Sequence, residues 1–545
     1  MRRGLLLLVV LGWTAPTYAQ INYSFNNYLR YGKGTKNRGG VAYNAEYLEN
    51  MANARLFMDK FTMGVRFLYD APHEYGPHFL GIQKRYVEFE DAGLQLRAGT
   101  YWTLFGKGLA MNLFENRGIY FDTGLDGLRA TYRSDMLDVI LAAGNLAYRD
   151  MIDTSRIENY IVRGGTFAVR PLEEIEIGGS FVDADGAFPP ASFSSGGVGP
   201  KVKAEIPEIN LALHAFGFDL FASYARKKAT IQETGSGPDY DMVTRTSYGE
   251  GIYGSLAFAS EDGWGFTFEY KDYRFDVVDP FTRVNINRPT RALPFQNPPI
   301  VFKEHAFTLL SRDPHQIDFS DEIGMQIEVF YALTSQIVLN FNASAASRHK
   351  SYEMVNGNLR TIERDNKLLP SLSKEFSPFY EVYGELEWYF TDVSFLRAAF
   401  NRRFDAPYEE LGGMTHEKSS TTLPVKIEYE LGDGYFLEGE VETQFFHDSF
   451  LVHTPDYTNL FLMVVLSRSP DWSVALRTEF SSIDERDEPS GRSFWAFGEV
   501  TYRLTSTHTI SIGCGTERGG VICSSGICRQ VDPFSGVRFS VLTQW

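Results

Sequence analysis

Apolar and polar positions alternate with period two along almost the whole chain. In "GYFLEGEVETQFF" Tyr435, Leu437, Gly439, Val441, Thr443 and Phe445 share one face, while Glu438, Glu440, Glu442 and Gln444 share the other. "WGFTFEYKDY" separates Trp264, Phe266, Phe268 and Tyr270 from Thr267, Glu269 and Lys271. "FWAFGEVTYRL" separates Phe494, Ala496, Gly498, Val500, Tyr502 and Leu504 from Glu499, Thr501 and Arg503. Successive side chains of a strand point to opposite sides, so each stretch predicts a strand with one apolar and one polar face. The last ten residues, "GVRFSVLTQW", continue the pattern, with Val537, Phe539, Val541, Thr543 and Trp545 on one face.

The connections carry more information than the strands. Tight turns are predicted at 58–62, 90–94, 133–138, 170–174, 217–220, 260–264, 333–336, 390–394, 431–435, 469–472 and 504–508. Longer polar stretches at 105–123, 184–205, 277–321, 349–378 and 515–533 fall between them, so short and long connections alternate. The expectation is an all-β chain forming a single large antiparallel transmembrane β-barrel of about 24 strands (22–24), with short periplasmic turns and long surface loops. An even strand number places both termini on the periplasmic side. A soluble sandwich has the same period, and three further features separate the two. These are the turn–loop alternation, a terminal aromatic that resembles a barrel sorting signal, and a leader.

The leader is "MRRGLLLLVVLGWTAPTYAQ", with a basic start, an apolar core and small residues before Gln20. This predicts a signal peptide over 1–19, with no lipidated cysteine at the cut, and a barrel domain over 20–545. No later apolar run approaches the ~20 residues a membrane helix needs. Strand-like sequence follows the leader directly, which argues against an N-terminal plug domain. The expected location is the outer membrane of a Gram-negative bacterium. The expected partners are outer-membrane lipid, the barrel-assembly machinery through the C-terminal strand, and a small polar solute.

Composition agrees with this reading. Tyr 30, Phe 43 and Trp 7 suit two aromatic girdles, and a net charge of −17 argues against nucleic acid. In a barrel the charged parity lines the lumen, which nominates Glu381, Glu385, Glu387, Lys426, Glu428, Glu430, Glu438, Glu440, Glu442, Arg477 and Glu479. Excess glutamate there predicts a preference for cations.

Three stretches resemble a family of uncharacterised outer-membrane barrels, domain-of-unknown-function proteins of the Bacteroidota and related bacteria. They are "GTYWTLFGKGLAMNLFENRGIYFDTGLDGLRATY" from Gly99, "NPPIVFKEHAFTLLSRDPHQ" at 297–316 and "TERGGVICSSGICRQVDPFSGVRFSV" at 516–541. The resemblance implies the fold and the location, and no reaction or substrate.

Within the 105–123 stretch, Lys107, Asn112, Glu115, Arg117 and Asp122 are candidates for an inward loop that narrows the lumen and selects by charge. The alternative is a solvated surface loop. The 277–321 connection is long enough to be functional. Its "VFKEHAFTLL" predicts a short helix or strand over or inside the mouth, with Glu304, His305, Arg312 and His315 as its polar residues. Glu304, His305 and His315 lack metal-ligand spacing, so no metal is expected. Cys523 and Cys528 in the last loop predict a disulfide; Cys514 is left over and its connectivity stays open. "HEYGPH" at 73–78 imitates a zincin motif, but its histidines are five apart and Gly76 and Pro77 break the helix. No nucleophile elbow occurs. Neither an enzyme nor a cofactor is expected. The leading reading is a pore for small polar solutes; the alternative is a plugged barrel acting as a scaffold for an envelope partner.

Overall fold

The structure, a computed structural model, describes residues 21–38, 40–75, 78–149, 157–187, 201–234, 242–276, 293–364, 366–409 and 413–545. The leader over 1–19 lies outside the described residues. Twenty-four strands form one antiparallel sheet. Its first strand, Ile21–Arg38, pairs with its last, Phe534–Gln544, from Asn26 opposite Gln544 to Lys36 opposite Phe534. That seam closes the barrel and leaves no free edge. Trp545 continues the closure: its N–H donates to the Phe25 carbonyl at 2.8 Å, and the Phe25 N–H donates back at 2.9 Å.

Each tight turn read from the sequence joins two strands that are neighbours in the wall. Several use two consecutive residues with positive φ: Ala92 (47°) and Gly93 (82°), Phe216 (57°) and Gly217 (79°), Asp433 (52°) and Gly434 (78°). Such turns match the right-handed twist of a two-residue hairpin. The longer connections all lie at the opposite end.

Parity orients the wall. On Tyr435–Asp448, Leu437, Val441 and Phe445 are 39%, 44% and 54% exposed, whereas Glu440, Glu442 and Gln444 are buried. The apolar parity therefore faces outward, which inverts a soluble sandwich and suits hydrocarbon surroundings. Aromatic residues band that outer face. Trp264 beside Tyr331 and Trp472 beside Tyr502 lie at the turn end, and Tyr380 stacked on Phe404 at 5.0 Å lies toward the loop end.

The long loops depart from simple irregular chain. The 349–378 stretch contains a hairpin of Ser351–Val355 and Asn358–Ile362. The last loop contains another, Gly520–Ser524 with Ile527–Val531. Of "VFKEHAFTLL", only Thr308 to Leu310 are helical, in the single turn Thr308–Ser311; the rest has no regular structure, and its Lys303 and His305 side chains pair with wall carboxylates. The hydrophobic core lies in the lumen, where inward loops meet the polar parity of the strands.

Candidate functional site: a loop-filled lumen

The first inward loop follows the strand Leu94–Tyr101. It turns back on itself through Phe105 N–H to Met111 carbonyl at 3.0 Å and Leu113 N–H to Thr103 carbonyl at 3.0 Å. Gly106 and Gly108 take φ of 53° and 99° at the tip. A Cβ on Gly106 would stand 2.6 Å from Oε1 of Glu208, so the turn needs glycine for its backbone and for this approach. Phe105, Leu109, Ala110 and Met111 are fully buried and pack against Val162, Val182, Ala204 and Ile206 of the wall. Glu208 caps the tip, accepting from Ala110 N–H at 3.3 Å. The far end of the loop grips the wall strands that precede it, Val41–Met58, Phe61–Asp70 and Phe79–Asp91, with charge. Glu115 pairs with Arg66 at 2.6 Å and Lys84 at 3.2 Å, Asp122 with Lys84 at 2.5 Å, and Arg117 with Glu49 at 2.6 Å. Beside them Glu74 bonds Arg30 at 2.8 Å and Lys36 at 3.1 Å. Burial alone would raise that carboxyl; Lys36 and Arg30 outweigh it and hold it down at about 2.

The second inward segment, 293–321, clasps the first. Asn112 donates its N–H to the Phe295 carbonyl at 2.8 Å and its Nδ2 to the Asn297 carbonyl at 2.9 Å, and Asn297 Nδ2 returns a bond to the Asn112 carbonyl at 3.0 Å. From there the segment follows the inner wall. Lys303 pairs with Glu328 at 2.5 Å and His305 with Glu381 at 2.6 Å. Leu309 N–H donates to Glu442 at 3.0 Å, and Gln444 donates to the Leu309 carbonyl at 3.1 Å. Arg312 forks onto Glu479, and His315 bonds Asp405 at 2.9 Å. Burial would lower the His315 imidazole, but Asp405 and Glu322 outweigh it and push its value up to about 9.

The last loop covers the second segment. Cys523 and Cys528 are joined across its hairpin. At the tip Ser525 N–H donates to Glu304 at 2.6 Å, and a Cβ on Gly526 would meet Phe319 at 2.6 Å. Arg518 bonds Glu479 at 3.0 Å and Glu488 at 2.8 Å, so two arginines from two loops converge on one wall carboxylate. Cys514 is unpaired and faces outward on its strand.

The residues nominated from sequence thus divide. Glu381, Glu442 and Glu479 line the lumen and are covered by the second segment. Glu385 and Glu387 pair with Arg397, Glu438 with Lys426, and Arg477 with Glu499. Glu428, Glu430 and Glu440 have no ion pair among the described residues. Glu115, Arg117 and Asp122 are bonded to the wall rather than opposed across an opening. Asn112 is a clasp between loops, and the Lys107 ammonium lies 5.4 Å from the Phe221 ring centre. Sequence reading missed Arg30, Glu49, Glu74, Arg403, Asp405 and Arg518. Arg403 and Asp405 share the inward parity of their strand, a signal that was present; the partners of Glu74 and Arg518 depend on loop paths that alternation does not encode.

Two cavities with polar residues in their lining open beside the inward loops. One of about 330 Å³ is lined by Asp313, His315, Arg403, Asp405 and Lys418 among others. The second, about 300 Å³, is lined by Asp70, Tyr75, Arg117, Tyr120 and Arg149 among others.

No curated protein matches the chain. Among solved structures it is similar to the siderophore receptor PirA from Pseudomonas aeruginosa, at 9% identity over 98% of this chain and 81% of that one, with a TM-score of 0.46. It is similar to the copper transporter OprC at 11% identity over 97% and 81%, TM-score 0.46. The P pilus usher PapC translocation pore matches at 10% identity over 96% and 99%, TM-score 0.38. These likenesses are of the barrel fold alone. The model of a family of unknown function, DUF6029, matches residues 5–545, and the chain belongs to that family.

Proposed function

We propose that this chain is an outer-membrane transport barrel for small polar solutes, held closed at rest by its own inward loops. The outward apolar parity with its aromatic bands supports the membrane location. The observation that carries the gated reading is the path of residues 303–315. They cross the inner wall on ion pairs and hydrogen bonds to Glu328, Glu381, Glu442, Glu479 and Asp405. Contacts of that kind exchange for water or solute polar groups when the segment moves, whereas a packed apolar seal does not. Glu428 and Glu430, which have no ion pair among the described residues, support a cation preference for the opened path.

The apolar packing around Leu109 and Met111 supports the other reading, a permanently plugged scaffold. Single-channel conductance of the refolded chain in planar bilayers separates the two. The gated reading expects a silent wild type, and steady current once Arg312→Ala and His315→Ala are combined. A double variant that folds, exposes 303–315 to protease and still passes no current would overturn it in favour of the scaffold.

A further inference from the structure

The 348–378 connection does not rise from the mouth as a free loop; it folds down over the outside of the wall. Asp272, Ile323 and Ser347 occupy one outward-facing row on three adjacent strands. Their parity is fixed by Tyr273 and Glu322, which face the lumen and bond to Pro299 and His315 of the second inward segment. Outward residues lower on these strands are exposed, with Phe268, Ile327 and Phe341 at 37–45%, yet the row of Asp272, Ile323 and Ser347 is at 0–3%. The connection covers it. His349 bonds Asp272 at 2.8 Å and Asp321 at 2.9 Å. Ser371 N–H donates to Ser347 Oγ at 2.8 Å, and Arg364 reaches the Leu369 carbonyl at 3.3 Å and the Lys367 carbonyl at 3.4 Å.

This bonded frame presents apolar side chains away from the protein. Leu368 and Leu372 are 71% and 67% exposed, and Leu369 is 48% exposed. Asn366 accepts from the N–H groups of Leu368 and Leu369 at 2.8 and 3.2 Å, which fixes the turn that displays them. Tyr270, an outward residue of the aromatic band, donates its hydroxyl to the Leu368 carbonyl at 3.1 Å. The leucines are therefore continuous with the lipid-facing surface, at the height where aromatic side chains meet the interface. Lys367 next to them has no ion-pair partner among the described residues. Three leucines held rigidly in water would each forgo roughly 1.5–3 kcal/mol of burial, and a frame of this many bonds to display them has no use in an aqueous loop.

We propose that residues 366–372 form a membrane-interface anchor, with Leu368, Leu369 and Leu372 in the acyl chains of the outer leaflet and Lys367 at its anionic headgroups. The occupant is bilayer lipid, the same phase that surrounds the wall below. The anchor asymmetrically thickens the lipid contact on this flank of the barrel and fixes the barrel's depth and tilt there. It rests on the outer-membrane reading above.

The test uses the full chain carrying Cys514→Ser, with one further cysteine bearing a bimane label, reconstituted in vesicles of zwitterionic and anionic phospholipid. Labels at Leu368→Cys and, separately, Leu372→Cys report the anchor. A label at Phe341→Cys reports the wall, and one at Gly357→Cys, at the hairpin tip, reports water. Lipids brominated high on the acyl chain are expected to quench 368 or 372 as strongly as 341, at least threefold over 357. Quenching at 341 with none at 368 and 372 would overturn the anchor and leave the surface to a protein partner. Absence of quenching at 341 would instead overturn the membrane reading on which the anchor rests.

Discussion

Residues 104–113 meet the barrel through Phe105, Leu109, Ala110 and Met111, all without solvent exposure, inside one large apolar cluster. Residues 303–315 meet it through Lys303, His305, Arg312 and His315, each bonded to a wall carboxylate, and also bury Phe307, Leu309 and Leu310, but the apolar clusters there hold only a few residues. The two segments occupy the same lumen and clasp each other through Asn112 and Asn297. Apolar burial is lost all at once when a segment leaves, and water offers nothing in return. A bonded polar group recovers most of its interaction from water, so the net cost of undocking it is small. On the proposed gated reading, one segment is part of the core and the other a part that can be released.

Substitutions should separate the two. The largest effect is expected for Phe105→Ala, at about 3–5 kcal/mol, because the cavity cannot be filled without moving the wall. The check is heat-modifiable migration on gels: the barrel should unfold at lower temperature, with 303–315 and the wall lost together. Arg312→Ala should cost the docked state about 1.5–3 kcal/mol, since it removes a charge-assisted pair while Arg518 still holds Glu479, but leave the melting of the wall close to wild type. Replacing both partners, Arg312→Met with Glu479→Leu, should recover much of the docking, read as renewed protease resistance of the segment. A double variant as sensitive as Arg312→Ala would show that Arg518, the other ligand of Glu479, matters more than the pair.

The pH dependence sharpens the same contrast. The His315 imidazole lies at about 9 when docked between Asp405 and Glu322, against an ordinary 6.5. A raised folded value means that its stabilisation is complete below about 6.5 and is lost as pH rises through about 9. Protease sensitivity of 303–315 should therefore grow between pH 7 and 10, while 104–113 stays protected. His315→Gln should abolish that dependence. The smallest effect is expected at Lys303, whose partner Glu328 is 40% exposed. Lys303→Ala should cost no more than about 1 kcal/mol, and exchange of 303–315 should barely change.

Much of the wall was legible in the sequence because parity and turn chemistry are local. Leu437 and Glu438 are assigned to opposite faces by position alone, and Asp433-Gly434 announces its turn. The inward course of 105–123 and 293–321 was legible only as one of two readings, since the apolar residues "LAM" and "VFKEHAFTLL" show a wish for burial but not the surface that satisfies it. The pairing state of the lumenal acids was not legible. Glu381 and Glu479 read as free acid until Arg403, Arg312 and Arg518, distant in sequence, are placed beside them. Nor could alternation show that Leu368 and Leu372 lie outside the wall, because that depends on the bonds of Arg364 and Ser371 to residues far along the chain.

The central claim is that one segment of the loop-filled lumen is fixed and the other releasable. Hydrogen–deuterium exchange of the reconstituted chain at constant pH, read by mass spectrometry on peptides from both segments, tests it most directly. Residues 104–113 should exchange as slowly as the wall strands, and residues 303–315 at least tenfold sooner, accelerated further by Arg312→Ala. Equal protection of the two segments, unchanged by that substitution, would contradict the account.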